Sequence, residues 1–561
     1  MKVAVVGSGV AGLAATWLLN EYSDHEVHLY EADDRVGGHA DTVLFERPGK
    51  EPVAVDRCFS VFNLSTYPNF TQFLRLCQIP MHGTAMSFSF SRDHGALEWS
   101  GRAAWALFCQ PSNLFRPGMW RMVWDIIRFN ALASRAVRKP REIGSMNLGE
   151  WLRRHSFSDE FINDYILPIT ASIWSTPPDT CALEFPAHTH FRFMHNHHFL
   201  QLTGKPPWMS IKGGSQLYVD RIILRVPADR IHLSTPIHSV SSSLDGGGKK
   251  LLTTASGETG EFDHVVLATH TDISLRILQN GTDGATELES KVLGGFTWAK
   301  NRVVVHHDDQ LMPQRKSAWS CWNFITTSAG ASTSTSTIDP VCLTYNMNQL
   351  QGIQSSKHGN VFVTLNPPPS LEPKEGTIVK DGVMEHPMFT ADSTWAQENL
   401  HRIQNTRGVT FAGAWTKHGF HEDGFSSGLH VASKYIGIRR DAPPPFEIKL
   451  NHDRPIETGG ERWADFVELL EFRRRACVGT VSTIWTWQKQ AVGLVWWALG
   501  VIIQMILVGV IISFAMVKKH LFGKDVDVPQ DHQDGSLLES KNGNWPAKMG
   551  LPDVELKDHG E

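Results

Sequence analysis

Residues 2–19 read KVAVVGSGVAGLAATWLL: a short apolar run, three spaced glycines, then small and large apolar residues in alternation. Lys2–Val6 has strand composition, and Gly7-x-Gly9-x-x-Gly12 opens a helix. Gly7 permits a tight turn, Gly9 lets the backbone approach a pyrophosphate, and Gly12 lets the helix pack closely on the strand. The helix start adds N–H groups and partial positive charge, which favour an anion. A second strand, EVHLYE (26–31), ends in Glu31, whose carboxylate suits ribose hydroxyls and repels a 2′-phosphate. The chain continues EADDRVGGHADT (31–42), with Arg35 and a Gly37–Gly38 pair. A second glycine turn with a cation can close over the same pyrophosphate, which a compact NAD site does not require. The pattern therefore predicts a dinucleotide site suited to FAD.

Working outward, three regions read as pieces of one nucleotide-binding layer: residues 1–80, 205–275 and 405–440. The intervening segments, 81–204 and 276–404, are irregular and aromatic-rich and read as an interleaved α+β substrate domain. Within the second of them TTSAGASTSTSTID (326–339) is a polar low-complexity loop. The expected class is thus α/β, a Rossmann-like layer with a second domain inserted in it.

Net charge is −5 with 20% charged residues, and no concentrated basic face, so nucleic acid is excluded as a partner. Seven dispersed cysteines without a CxxC pair argue for reduced thiols rather than a disulfide framework. MKVAVVGSG has no signal-peptide character. The other end differs. After a proline-rich linker (441–460), the amphipathic juxtamembrane segment 461–490 contains RWADFVELLEFRRR (462–475), with Trp463, Phe466, Val467 and Leu470 spaced as one apolar helix face suited either to anionic headgroups or to packing on the globular domain. Ala491–Val517 carries no charge, and as a helix would run roughly 40 Å against a hydrocarbon thickness of ~30 Å. Trp485 and Trp487 before it and Lys518–Lys519 after it sit where interfacial anchors sit. These features predict one transmembrane helix (491–517), a polar disordered tail (518–561), and a single-pass membrane protein with its body in the cytosol.

Further stretches carry a resemblance. VFNLSTYPNF (61–70), MSFSFSRDHGALEWSG (86–101), ILPITASIWSTP (166–177), KGGSQLYV (212–219), LTYNMNQLQ (343–351), FVTLNP (362–367) and GFHEDGFSSGL (419–429) resemble the flavin-containing amine oxidoreductase superfamily. That superfamily includes monoamine oxidases and phytoene-type desaturases. More narrowly, these stretches look like predicted NAD/FAD-binding proteins found beside fatty-acid-modifying genes. The resemblance covers residues 1 to about 440 and implies FAD as hydride acceptor at N5. One departure stands at 55–63, where VDRCFSVFN puts Arg57–Cys58 in place of the family's threonine–glycine, close to the implied path of the flavin ring.

The resemblance also frames GAWTKHGFHEDGFSSG (413–428). Gly413 follows a strand, Gly424 offers a turn, and the helix start is expected to face the flavin N1–C2=O edge. Asp423 and Glu422 are expected to accept ribitol hydroxyls or to cap the helix. His421 is a candidate catalytic or substrate-orienting residue, or a structural one; His418 and His421 lack a third ligand for a metal. Lys300 precedes a strand roughly where amine oxidases hold a water-binding lysine, and also reads as a surface lysine. FPAHTHFRFMHNHHFL (185–200) reads as a packed aromatic–histidine wall or a cavity wall, with strand alternation placing His188 and His190 on one face; His197 is its cavity candidate. Trp174 and Trp208 are expected to wall the substrate cavity. No metal is expected.

The expected function is FAD-dependent oxidation or desaturation of a hydrophobic, lipid-linked substrate, with O2, a quinone or a protein as electron acceptor. An amine oxidase acting on a small amine or polyamine is the enzymatic alternative. A non-catalytic lipid-binding or scaffold protein on the same fold is the alternative of another class.

Overall fold

The computed structural model describes residues 1–175, 183–201, 206–243, 248–326, 342–450, 453–455 and 463–474. The expected transmembrane helix (491–517) and tail (518–561) lie outside the described residues, as does most of the 326–339 loop. Among the described residues no helix is long and apolar enough to cross a membrane.

Lys2–Val6 (β1) leads through the glycine turn into Val10–Tyr22 (α1) and Glu26–Tyr30 (β2). With Ile231–His232 (β3), His264–Leu267 (β4) and Val409–Phe411 (β5) these strands form a parallel sheet in the order β3-β2-β1-β4-β5. Val5 sits between Leu29 and Val266, and β1 is buried on both faces, as parallel strands covered on both sides are. Helix α1 is buried almost all round because it lies between this sheet and His421–Val431 (α4). Small residues make that possible. A Cβ on Gly428 would stand 2.1 Å from the Ala11 carbonyl oxygen, and one on Gly12 would stand 1.8 Å from that of Gly7.

The second layer is a seven-stranded sheet in the order Ile378–Met388, Thr297–His306, Phe362–Leu365, Cys342–Asn346, Trp322–Thr326, Phe88–Arg92, Leu97–Ser100. All its pairings are antiparallel except Trp322–Thr326 with Phe88–Arg92. Helices Pro117–Arg138 (α3), Leu148–Arg154, Leu167–Trp174 and Ala187–Asn196 share its core. Aromatic pairs such as Trp151–Phe191, 4.6 Å apart and nearly edge-to-face, add about 0.5–1.5 kcal/mol each beyond their buried area.

Residues 463–474 form a helix (α5) that packs antiparallel along α3, and here the expected apolar face is corrected. Arg135 pairs with Asp465 and Glu468 at 3.0 Å, while Trp124 Nε1 donates to Glu471 at 3.0 Å, so the start of α5 meets the end of α3. Ala464, Val467 and Glu471 point inward; Trp463 and Phe466, expected beside Val467, face outward with Leu469 and Phe472. The buried Glu471 carboxylate decides the rotation. Burial alone would raise its pKa, but Arg474, Arg128, Trp124 and Arg121 together hold it well below the ordinary carboxylate range.

Candidate active site

One continuous cavity of about 800 Å³ runs from the glycine turn to the helical part of the second layer. At its first end lie Gly7, Ser8, Gly9, the first residues of α1, and Glu31. Glu31 Oε2 accepts from the Ser8 amide at 2.7 Å and the Ser8 hydroxyl at 2.5 Å, which turns its carboxylate beside the start of α1. The first-turn N–H groups of α1 have no partners inside the helix and face the same space. A Cβ on Gly9 would meet nothing within 4 Å, so this glycine leaves room that the protein itself does not fill.

The second glycine turn abuts the first. Gly37 and Gly38 both have positive φ, and a Cβ on Gly38 would stand 3.0 Å from the Gly9 Cα. The Gly37 amide donates to the Ser8 carbonyl at 3.1 Å, and Arg35 donates to the Gly38 carbonyl at 2.8 Å, fixing the loop. Arg35 and Gly38 line the cavity; Gly12 and Gly37 stand behind it as close-packing positions.

In the middle of the cavity the start of α4 arrives beside the start of α1. Gly413, Ala414, Phe420 and His421 line this stretch. Gly424 does not reach the cavity; a Cβ there would stand 2.6 Å from Val10 Cγ1, so it sets the distance between the two helix starts. Asp423 is likewise behind the wall. Its carboxylate accepts the amides of Phe420 at 2.9 Å and His418 at 3.2 Å, capping its own helix instead of presenting oxygens to a ligand. Glu422 caps a different helix, accepting the amides of Asn69 and Phe70 at the start of Pro68–Leu76 (α2).

His421 is buried against Phe59, ring over ring at 3.7 Å, and its Nε2 makes a 2.7 Å hydrogen bond with Tyr218 Oη. Burial pushes its pKa down to about 3, so the ring is neutral at physiological pH. His39, His270 and His386 also line the cavity, and burial lowers each of them. The cavity wall is therefore rich in imidazole yet carries little positive charge.

His39, Cys58 and His386 bring three ligand-type atoms within 4.8 Å of one another, a grouping from distant segments that the sequence did not announce. A hydrogen-bond chain fixes its chemistry. The Arg302 amide can only donate, and does so to Asn366 Oδ1 at 2.8 Å. Asn366 Nδ2 then donates to Asn301 Oδ1 at 2.7 Å, and Asn301 Nδ2 to His386 Nδ1 at 3.0 Å. With Nδ1 accepting, the neutral ring carries its proton on Nε2, the atom facing Cys58 Sγ at 3.7 Å. That is the atom a metal would need bare. Burial raises the Cys58 thiol to about 12, so it too is protonated. Arg57, the other unusual residue here, is neutralised by an ion pair with Asp41.

The far chamber is lined by Met86, Ile173, Phe193, Phe199, Trp322 and Tyr345, together with His197 and Trp208. His197 stacks on Phe193 at 4.1 Å. The histidine-rich stretch is a helix, Ala187–Asn196, not a strand, so His190 turns into the core against Trp174 and Phe185 while His188 stays at the rim. Trp174 is also core: its indole N–H donates to the His418 carbonyl at 3.2 Å, and its neighbours Ile173 and Ser175 line the cavity in its place. Lys300 itself does not line the cavity, although its partner Glu385 does. Its side chain is 75% exposed and pairs with Glu385 at 3.6 Å.

A family model described as flavin containing amine oxidoreductase matches residues 10–281. Among solved structures, a putrescine oxidase variant redesigned in its cofactor binding is 14% identical with a TM-score of 0.54, over 78% of this chain and 98% of that one. Cyclohexylamine oxidase from Brevibacterium oxydans is 14% identical with a TM-score of 0.52, over 77% and 98%. A fatty acid isomerase from P. acnes that produces CLA is 13% identical with a TM-score of 0.51, over the same shares. At these identities the likeness concerns the fold.

Proposed function

We propose that the chain, whose residues 10–281 match the flavin containing amine oxidoreductase model, is an FAD-dependent oxidoreductase of that superfamily, and that it oxidises or desaturates a hydrophobic, lipid-linked substrate. Bound FAD supplies a hydride acceptor at N5. In this reading Gly7, Gly9 and the start of α1 hold the pyrophosphate, Glu31 takes ribose hydroxyls, and Arg35 with Gly37–Gly38 closes the loop over them. Gly413 and the start of α4 offer backbone dipoles to the negative charge that a reduced ring gains. Asp423 and Gly424 contribute by holding that helix start in place, not by touching the cofactor.

The substrate side rests on one observation. Met86, Ile173, Phe193, Phe199, Trp322 and Tyr345 enclose the far chamber with no carboxylate among them. The acids that line the cavity are elsewhere: Glu31 and Asp33 at the ribose end, and Glu385 paired with Lys300 and His270. An apolar chamber without a counter-charge favours an acyl or isoprenoid chain over a protonated amine. His421, neutral and held by Tyr218, is the polar group best disposed to orient the substrate; His197 and Trp208 wall the chamber. Attachment to a membrane through residues 491–517 belongs to the same reading, because it brings the chamber to a lipid supply.

The test is anaerobic bleaching of the flavin in the purified full chain. Reduction by fatty-acyl or isoprenoid lipids and not by amines is expected. Bleaching by putrescine or another amine alone would transfer the chain to the amine oxidases. Absence of flavin absorbance near 450 nm after reconstitution would favour a non-catalytic lipid binder.

A further inference from the structure

The outer face of α5 is apolar and is exposed among the described residues. Trp463, Phe466, Leu469 and Phe472 are exposed along it, Phe472 by 70%. Its acids face away from this row: Asp465 and Glu468 turn to Arg135, and Glu471 is buried among Arg121, Arg128 and Arg474. Arg473 is left as the exposed charge at the end of the row.

A second apolar cluster stands at the same end of α3. Trp105, Leu114 and Phe115 are exposed in the segment before that helix, Phe115 by 85%. They are tied to α3 through Trp120, whose indole N–H donates to the Leu114 carbonyl at 3.0 Å and whose ring lies 4.7 Å from Phe108. The next residue of α3, Arg121, reaches Glu471 of α5 at 3.5 Å. Arg102, set over the Trp105 ring at 5.6 Å, and Arg116 flank the cluster with positive charge. Two exposed aromatic groups with arginines beside them thus converge where the chain leaves α5.

The length of chain beyond α5 selects the occupant. Residues 475–490 separate α5 from the uncharged run 491–517, and sixteen residues reach at most about 55 Å when fully extended. A bilayer holding 491–517 therefore passes within that distance of Phe472. We propose that Trp463, Phe466, Leu469 and Phe472 of α5, together with Trp105, Leu114 and Phe115, form a platform that seats the body on the interface of an anionic bilayer. Aromatic side chains with arginine partners match the headgroup level, and α5 lies in that plane clamped by its acids to α3. This rests on the anchoring reading of residues 491–517. It adds that the body is held in one orientation, with α3 and the helical side of the far chamber nearest the lipid.

The experiment uses the full chain in vesicles of phosphatidylcholine and phosphatidylserine, with a photoreactive diazirine residue placed at Phe115, at Phe472, or at Leu224, an exposed control at the end of Gln216–Ile223. Lipid adducts at Phe115 and Phe472 several-fold above those at Leu224 are the expected result. Chain that stays in the vesicles through a carbonate wash but gives lipid adducts at none of the three positions overturns the platform alone. Crosslinks from Phe115 or Phe472 to a second copy of the chain overturn it in favour of self-association. Chain released by the wash overturns the anchoring reading itself.

Discussion

Glu422 caps a helix that is not its own. Its carboxylate accepts the amides of Asn69 at 3.0 Å and Phe70 at 2.9 Å, while Asn69 Nδ2 donates back to Ser426 Oγ at 2.8 Å. The start of α4, which faces the cavity, is thereby bolted to the start of α2. In Glu422→Ala two buried amides lose their acceptor, and the thermal midpoint should fall by the equivalent of about 3–5 kcal/mol. Glu422→Gln keeps one oxygen and should lose less than half of that. Circular dichroism melts of the two variants check the order.

Gly9 and Gly12 belong to one motif but should fail differently. A Cβ at residue 12 collides with the Gly7 carbonyl, so Gly12→Ala distorts the turn and should lower both folded stability and flavin content. A Cβ at residue 9 meets only open space in the protein. Gly9→Ala should melt like the parent chain stripped of flavin, yet bind added FAD at least about tenfold more weakly, as expected where backbone must approach a pyrophosphate. Titration of apoprotein with FAD, followed by flavin fluorescence, separates the two.

Stability should fall with acid in a way set by buried histidines. Burial pushes His190 and His421 down to about 3, and burial with His270 nearby takes His386 to about 4, from an ordinary value of 6.5. Below pH 6.5 the unfolded chain binds protons that the folded chain does not. The full contribution is therefore present above pH 6.5 and is lost as pH drops toward 4, by up to about 1.4 kcal/mol per unit for each group. His190 sharpens the test, since neither ring nitrogen has a partner among the described residues. His190→Phe should stabilise the chain by about 1 kcal/mol at neutral pH and make the acid slope shallower by one proton. Urea unfolding at several pH values measures both.

Lys300 makes a negative prediction. Its side chain is exposed and does not line the cavity, although its partner Glu385 does, so Lys300→Met should change stability by less than ~0.5 kcal/mol and the flavin reduction rate by less than about threefold. A loss of a hundredfold in stopped-flow reduction would place the lysine in the chemistry after all.

The nucleotide-binding half was legible in the sequence because its signals are local. Gly7, Gly9 and Gly12 act within one turn, and Glu31 ends the next strand, so spacing alone locates them. The rest depends on which way side chains face and on what distant segments supply. For Asp423 the sequence leaves ribitol binding and helix capping open, and the fold favours capping, with Oδ2 accepting the amides of His418 and Phe420. Trp174 and Ile173 are adjacent, and the packing of Leu167–Trp174 sends the larger one to the core. His190 and Phe191 sit on a helix that strand alternation mislaid by period. The meeting of His39, Cys58 and His386 had no signal at all, because three remote stretches contribute one residue each. A position-by-position search for buried imidazole among the apolar runs would have flagged His386 at best.

The contact between Gly428 and Ala11 has a consequence for how the protein is made. More than four hundred residues separate the two partners, so the opening strand and helix leave the ribosome long before the helix that covers them exists. At roughly 5–20 residues per second that interval lasts tens of seconds. Throughout it the face of α1 that α4 will cover is bare, and the cofactor has only half a cradle. Loading with FAD is therefore expected late in biosynthesis, and a chain cut short before residue 421 leaves that face of α1 uncovered, however intact its glycine motif.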